Sequence, residues 1–186
     1  MSLRCVPLTE ILDAFQPRSP EEASDVERIR QLAAEGDPWP RSLPLHVTGS
    51  AVVVHPPTRR VLLRWHQRMQ AWLQVGGHGD AGETDPYVVA RREAEEETGL
   101  RDLVPWPHPA QPTLVQVAIV PVPASKREPA HAHADFRYGL ATASPDAATP
   151  ESPSAQLKWL DLDEAVATVA EDNLRVCLLR LAEMLS

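Results

Sequence analysis

Cysteine, phenylalanine and tyrosine are scarce in this chain. Its 186 residues include two of each, and aromatic residues make up 5% of the total. The cysteines, Cys5 and Cys177, are far apart and lack the spacing of a metal motif, so we expect a reduced pair and no disulfide framework. The few aromatic rings do not indicate a base-binding sandwich. Four tryptophans can stack on a base, but we expect them to line the core or a pocket wall: Trp65, Trp72, Trp106 and Trp159.

Long apolar runs and net positive charge are also absent. No stretch approaches the roughly 20 apolar residues of a membrane span, and residues 1–10 lack the apolar run of a signal peptide. The net charge of −8 argues against a general binder of nucleic acid or of anionic membranes. We therefore expect a cytoplasmic protein that acts on a small molecule and forms no stable complex with nucleic acid or membrane.

The composition is that of an ordinary globular protein, and the sequence divides into two regions. Hydrophobic residues make up 43% of the chain. Residues 1–45 are predicted to form a helical N-terminal extension, whose second helix opens at Pro20 and ends before Gly36. From residue 46 the pattern changes to strands, so the sequence predicts a domain over 46–186 that ends in two amphipathic helices. The apolar faces of these helices permit a homodimer without requiring one.

Apolar and β-branched runs predict the strands of the second region. The predicted strands cover residues 48–54, 61–65, 72–75, 114–122, 135–143 and 157–160. The first two are predicted to form a hairpin, and the third is predicted to end at Gly76-Gly77. With a helix in the middle and helices at the end, this order predicts an α/β (α+β) fold, a mixed sheet sandwiched between helices.

The central helix has clear predicted boundaries and an unusual C-terminal end. Thr84 or Asp85 can cap it, Pro86 suits its first turn and Gly99 suits its C-terminal left-handed position. Four glutamates crowd its last turns, although negative charge near a helix C-terminus is disfavoured by about 0.3–1 kcal/mol. A helix end that breaks this local rule indicates a functional site, and a divalent cation is the simplest counter-charge.

Three of these glutamates share one face of the helix. At about 100° per residue, Glu93, Glu96 and Glu97 lie within an arc of about 100°, whereas Glu95 points away toward solvent. Arg92 lies beside the arc and is predicted to pair with Glu96. Three oxygen donors on one rigid face suit a hard cation such as Mg²⁺ or Mn²⁺. The alternative is a solvated acidic helix face that neighbouring arginines stabilise.

The loop before the helix offers further candidate groups. Gly76 and Gly77 let the backbone approach a ligand, and the carbonyl of Gly77 is a candidate oxygen ligand. Glu83 is positioned to fold back onto the same metal cluster. His78 follows the glycines and is a candidate phosphate contact, with a plain turn residue as the alternative.

A second group of candidates lies further along the chain. His131, His133 and Asp135 alternate, so on a strand all three point the same way. They form a second metal cluster or a rim that contacts substrate; the alternatives are the polar outward face of an edge strand or histidines whose hydrogen bonds are satisfied by the main chain. Lys126 and Arg127 in the preceding loop are candidates for gripping a phosphate, although a solvated loop is the ordinary role of such residues.

The motif formed by Gly77, Glu83 and the segment 92–100 resembles the Nudix box of the Nudix hydrolases. The family pattern is Gly, five residues, Glu, seven residues, Arg-Glu, an aliphatic, any residue, Glu-Glu, any residue, Gly and an aliphatic. Here eight residues separate Glu83 from Arg92, and Ala94 occupies the aliphatic position. The extra residue lies at or before the helix start, so it bears on the position of Glu83 and leaves the spacing of the helical glutamates intact. The Gly-Gly-His approach to the box resembles one subgroup of the family.

The resemblance, which covers roughly residues 46–165, implies a hydrolase that cleaves the diphosphate linkage of a nucleoside diphosphate derivative with Mg²⁺ or Mn²⁺. It implies Glu93 and Glu97 as the leading metal ligands. Glu96 and the Gly77 carbonyl would lie beside them, and Arg92 would orient Glu93 or Glu96. Glu96 and Glu93 are the two candidates for the general base.

Two other functions occur on the same fold. A sensor that binds a nucleotide without cleaving it is the main alternative, but such a protein is expected to lose the glutamates that this chain retains. An isomerase of isopentenyl diphosphate needs a catalytic cysteine near the site. Neither Cys5 nor Cys177 lies in the strands that would supply it.

Overall fold

The computed structural model describes residues 6–126 and 128–185. In chain order its helices and strands are α1 (Leu8–Ala14), α2 (Pro20–Glu35), β1 (Leu45–His55), β2 (Arg60–His66), β3 (Ala71–Leu73), β4 (Val75–His78), α3 (Pro86–Thr98), β5 (Val104–Pro105), β6 (Thr113–Val122), β7 (His131–Ala141), β8 (Leu157–Asp161), α4 (Leu162–Thr168) and α5 (Asp172–Met184).

The strands form one mixed sheet in which β1 is central. Strand β1 runs parallel to β7 and antiparallel to β2 and β4. Along the sheet the order is β3-β2-β1-β7-β5, while β4, β6 and β8 pair with β1, β7 and β2 respectively. The predicted fold class is confirmed, and the predicted hairpin is the β1–β2 pair.

Helices cover both faces of this sheet because successive residues of β1 point to opposite sides. Ala51 and Val53 lie in a core shared with α1, α2 and α3. Val52 and Val54 lie in a second core with α4 and α5. Trp106 is buried in the second core, as expected.

The N-terminal extension packs directly onto the sheet. Two short hydrogen bonds join Glu22 of α2 to Arg180 of α5, with Oε1–Nη1 and Oε2–Nη2 distances of 2.7 and 2.8 Å. Glu22 also accepts a hydrogen bond from the backbone of Val117 in β6 at 3.2 Å. This buried ion pair fixes α2 between the sheet and the last helix. The domain boundary at residue 45 stays a prediction.

Several predicted strand limits are wrong, and the two that bear on the site are those at the glycines and at the start of β7. Gly76 and Gly77 do not end a strand but lie within β4, opposite Ser50 and Gly49 of β1. A glycine is compatible with either a turn or a close approach of the backbone to another group, and here the glycines allow a close approach. Strand β7 begins at His131 and not at residue 135. Its pairing with β1 extends back to Ala132, which lies opposite Leu45.

The remaining expectations concern cysteine, membranes and assembly. Cys177 is buried in α5 without a disulfide, and Cys5 lies outside the described residues. No helix in the described ranges is long and apolar enough to cross a membrane. Val176 and Leu179 on α5 are exposed, and a homodimer through this helix stays a prediction.

Candidate active site

Helix α3 begins and ends where its capping residues predict. Asp85 caps it by accepting a hydrogen bond from the Tyr87 N–H at 2.9 Å, and Pro86 occupies its first position. At the other end Gly99 has a φ of 68°, a left-handed conformation that glycine adopts without strain. These caps fix the register that places the glutamates on one side of the helix.

Arg92 lies at the centre of the carboxylate cluster. Its Nη1 donates to Glu93 Oε1 at 2.9 Å and to Glu96 Oε2 at 3.1 Å, which confirms the predicted pair with Glu96. Its Nε and Nη2 donate to both oxygens of Glu83 at 2.9–3.2 Å. Nη2 also donates to the carbonyl of His78 at 2.9 Å. One guanidinium therefore joins the loop before the helix to the acidic helix face.

Glu97 faces the sheet and has different partners. Its Oε2 accepts a hydrogen bond from the Gly76 N–H at 3.0 Å, and its Oε1 lies 3.2 Å from Arg64 Nε. Arg64 also pairs with Glu151 at 2.5 Å. The sequence gives no local signal for Arg64 or Glu151, because β2 and the loop before β8 are far from α3 along the chain.

Glu93 lies directly over the glycines of β4. A Cβ atom on Gly77 would lie 2.6 Å from the Glu93 carboxylate, so any side chain there would displace it. The backbone of Gly77 and the carboxylate of Glu93 are therefore immediate neighbours. Glu95 points away from this group, as predicted, but it pairs with Arg91 at 3.0 Å and is not free in solvent.

Burial disfavours the charged form of two of these carboxylates. It raises the pKa of Glu97 to about 7 and raises the pKa of Glu93 above its ordinary value. The Arg92 hydrogen bonds instead lower the pKa of Glu83. Since Glu93 and Glu97 are difficult to ionise without more positive charge, they fit a site that a cation completes.

This electrostatic balance predicts a pH dependence. Because the pKa of Glu97 rises from 4.5 to about 7 on folding, the metal-free protein loses stability as pH rises through that interval. A cation needs the deprotonated carboxylate, so the rise in Tm caused by excess Mg²⁺ should grow between about pH 5.5 and 8. Thermal unfolding with and without Mg²⁺ measures this difference. In Glu97→Gln the growth should disappear, and a pH-independent Mg²⁺ effect in the parent protein would contradict the assignment.

The predicted histidines come together at the end of β4. His78, His131 and His133 come together with His46 at the start of β1, and five of the six pairs of ring centroids lie 4.8–5.3 Å apart. Burial lowers the pKa of His78 to about 3 and that of His133 to about 4, so both rings are neutral near pH 7. Sequence inspection missed His46, which is 85 residues from His131.

Asp135 belongs to a separate buried network. It accepts hydrogen bonds from Thr48 at 3.0 Å, from Ser50 at 2.6 Å and from Arg137 at 2.9 Å. It also accepts one from Gln74 at 3.2 Å. These contacts make Asp135 a junction between β1 and β7.

A cavity of about 290 Å³ is lined both by residues of the histidine cluster and by Asp135. The predicted residues that line it are Gly77, His78, His131, His133 and Asp135. Lys126 is exposed and does not line the cavity, and Arg127 lies outside the described residues. Arg68, which was not predicted, lines the cavity and pairs with Glu128 at 2.7 Å.

Comparison with known proteins identifies the family. The NUDIX domain family model matches residues 45–180, most of the chain, and the chain therefore belongs to the Nudix family. The matched range includes the sheet and the acidic helix, and the expected enzyme class is confirmed: the protein is a hydrolase. No curated protein sequence matches the chain.

Solved structures show the same fold. A binary complex of the C. elegans Ap4A hydrolase has a TM-score of 0.59 at 19% identity, over 75% of this chain and 96% of that chain. A NUDIX-family hydrolase from Clostridium perfringens has a TM-score of 0.56 at 25% identity, over 75% and 95% respectively. The M. smegmatis Nudix hydrolase RenU has a TM-score of 0.52 at 20% identity, over 74% and 84%. Nudix hydrolases generally act on nucleotide-type small molecules and need divalent metal ions.

Proposed function

We propose that this protein cleaves the diphosphate linkage of a nucleoside diphosphate derivative with Mg²⁺ or Mn²⁺ bound at the C-terminal half of α3. The observation that carries the proposal is the pair of largely buried carboxylates, Glu93 and Glu97, that lie together over β4; burial raises the pKa of each despite a neighbouring arginine. A divalent cation supplies positive charge next to the backbone of Gly76 and Gly77. We propose the cytoplasm as the place of action.

The donor atoms suit a hard cation. Glu93 and Glu97 are the leading proposed ligands because both are largely buried, with side chains 17% and 10% exposed. Glu96 lies beside them and is 56% exposed, and the carbonyl of Gly77 is the proposed backbone ligand. An all-oxygen set of this kind favours Mg²⁺ or Mn²⁺ over softer metals.

The cation and the protein have separate tasks in the reaction. Glu93 and Glu97 would hold the cation, which when bound would supply polarisation of the diphosphate and a lowered pKa of bound water. Glu96 or Glu93 accepts the proton of the attacking water, and Glu96 has the freer side chain of the two. Arg92 contacts both candidates through Nη1 and so holds either one in position.

The contacts of Glu83 support a positioning role. Both of its oxygens accept hydrogen bonds from Arg92, which leaves it little freedom to turn to a metal. Its predicted role as a direct metal ligand stays a prediction. We propose instead that Glu83 fixes the guanidinium that orients Glu93 and Glu96.

Replacing Glu83 tests this role. Glu83→Gln is expected to lower kcat by about 10–100-fold, the usual size of effects from groups that orient metal ligands. Asp80→Asn is the matched control, because Asp80 is 73% exposed and lies 3.6 Å from Arg92; it should change kcat by less than about twofold. Equal effects of the two substitutions in steady-state kinetics would contradict a special role for Glu83.

The substrate class is tested by a panel of nucleotides. The purified protein is incubated with Mg²⁺ and nucleoside diphosphate sugars, dinucleoside polyphosphates, nucleoside triphosphates or coenzyme A, and the released phosphorus products are measured. Dinucleoside polyphosphates belong in the panel because one structural neighbour is an Ap4A hydrolase. Tight binding of a nucleotide with no cleavage of any compound would favour the alternative, a non-catalytic sensor.

A further inference from the structure

Three strands place histidine rings at one end of the sheet's central strands, apart from the acidic helix. His46 opens β1, His78 ends β4, and His131 and His133 open β7. One ring nitrogen from each of His46, His131 and His133 lies within 4.8 Å of the other two. The Nε2 atoms of His46 and His78 are 3.0 Å apart.

The backbone sets the tautomers of two of these rings. The Nδ1 of His46 lies 2.9 Å from the carbonyl of Leu43, and the Nδ1 of His131 lies 2.9 Å from the carbonyl of Pro129. A carbonyl only accepts, so each Nδ1 carries the proton and each Nε2 keeps its lone pair. Histidines that bind metals are usually held in this way, with the second ring nitrogen donating to a carbonyl or carboxylate.

The spacing of the nitrogens also fits a metal. In a tetrahedral zinc site with Zn–N bonds of about 2.0–2.1 Å, neighbouring nitrogens are roughly 3.3 Å apart. The Nε2 atoms of His131 and His133 are 3.2 Å apart, close to this value. The other distances between the three nitrogens are at most 4.8 Å, so modest side-chain shifts would bring the three rings around one ion.

We propose that His46, His131 and His133 bind a transition-metal dication of the Zn²⁺ class, with His78 adjacent as a fourth ligand. Nitrogen ligands favour Zn²⁺, Cu²⁺ or Ni²⁺, whereas Mg²⁺ prefers the oxygen ligands of the acidic helix. The two sites therefore differ in the metals that they select. This inference goes beyond the proposed hydrolytic function and does not depend on it.

Hydrogen bonding between rings is the competing explanation. His78 can donate from Nε2 to His46, and His133 can donate from Nε2 to His131, which gives the Nε2 atom of every ring a partner without an ion. The surrounding charges are mixed, since Arg41 and Arg68 approach the cluster together with Glu128 and Asp135. Electrostatics therefore does not exclude a cation, and only metal binding separates the two explanations.

An ion at this position would connect the histidine cluster to the reaction site. It would join the starts of β1 and β7 to the end of β4, where His78 follows Gly77. The carbonyl of His78 already accepts a hydrogen bond from Arg92. A metal bound by these rings would thus hold the glycine strand in place beneath Glu93.

Metal content and stability test the proposal. Untagged full-length protein is stripped with chelator, dialysed against Zn²⁺ with Mg²⁺ in large excess, and its metal content is measured. We expect one equivalent of Zn²⁺ per chain and a Tm increase of roughly 5–10 °C at Zn²⁺ concentrations near 100 times Kd. No retained Zn²⁺, or retained Zn²⁺ without a change in Tm, would overturn the proposal.

Variants locate the ion. His131→Ala and His133→Ala should each weaken Zn²⁺ binding by more than roughly 100-fold, a larger loss than outer groups usually cause. His108→Ala is the matched control, because His108 is exposed and outside the cluster, and it should bind as the parent does. His133→Gln with a parental circular dichroism spectrum separates ligand loss from misfolding. Unchanged Zn²⁺ binding in the cluster variants, or its loss in Glu93→Gln, would contradict the assignment.

Discussion

Replacing Glu97 with glutamine is expected to lower kcat for the best substrate at least ~100-fold, the size of losses associated with metal and acid–base groups. Glutamine keeps the shape of the side chain but removes the negative charge that we propose binds the cation. Glu97 also accepts a hydrogen bond from the Gly76 N–H at 3.0 Å, and the amide oxygen of glutamine can still accept it, so the contact between α3 and the glycine strand is kept. Steady-state kinetics at saturating Mg²⁺ measures the effect.

Glu95→Gln is the matched control for this substitution. Glu95 is two residues away on the same helix, but it pairs with Arg91 on the other side. Its replacement should change kcat by less than about twofold, as expected for a partly exposed ion pair. A folding defect does not account for the expected loss, because burial already disfavours the charged form of Glu97 and raises its pKa to about 7. Parental activity in Glu97→Gln would contradict the metal assignment.

Removing Glu22 is expected to have the largest effect on stability. Glu22→Ala should lower the free energy of unfolding by about 3–5 kcal/mol, because Arg180 would remain buried without a partner. The backbone N–H of Val117 would lose its acceptor as well. Urea unfolding followed by circular dichroism measures the change, and it also shows how strongly the N-terminal extension contributes to the folded protein.

An exposed ion pair provides the control for Glu22. Glu183 pairs with Arg18, and the two side chains are 63% and 51% exposed. Glu183→Ala should therefore cost at most about 1 kcal/mol. In the double variant Glu22→Leu/Arg180→Met much of the stability should return, since well-packed apolar residues often replace a buried ion pair without loss. Equal losses of unfolding free energy in Glu22→Ala and Glu183→Ala would show that the buried ion pair contributes no more than the exposed one.

The parts of the site that were predictable from sequence are local. The limits of α3 follow from Asp85, Pro86 and Gly99, each of which acts on its own helix end. The shared face of Glu93, Glu96 and Glu97 follows from helical periodicity alone. The pair between Arg92 and Glu96 has the same origin, because residues four apart meet on a helix.

The parts that were missed depend on contacts between distant segments. Arg64 reaches Glu97 only because β2 belongs to the sheet on which α3 packs, and His46 meets His131 only because β1 pairs with β7. Local patterns carry no information on such pairing. Gly76 and Gly77 were misassigned for a related reason, since the groups that they approach closely, Ser50 of β1 and the Glu93 carboxylate of α3, lie on other elements.

The most direct test of the central claim is the metal dependence of hydrolysis by the wild-type protein. Product release from the best substrate is measured in excess chelator, and again after the chelator is removed and Mg²⁺ alone is added. The proposed carboxylate site predicts no hydrolysis in chelator and full recovery with Mg²⁺. Hydrolysis that continues in excess chelator would contradict a cation at Glu93 and Glu97.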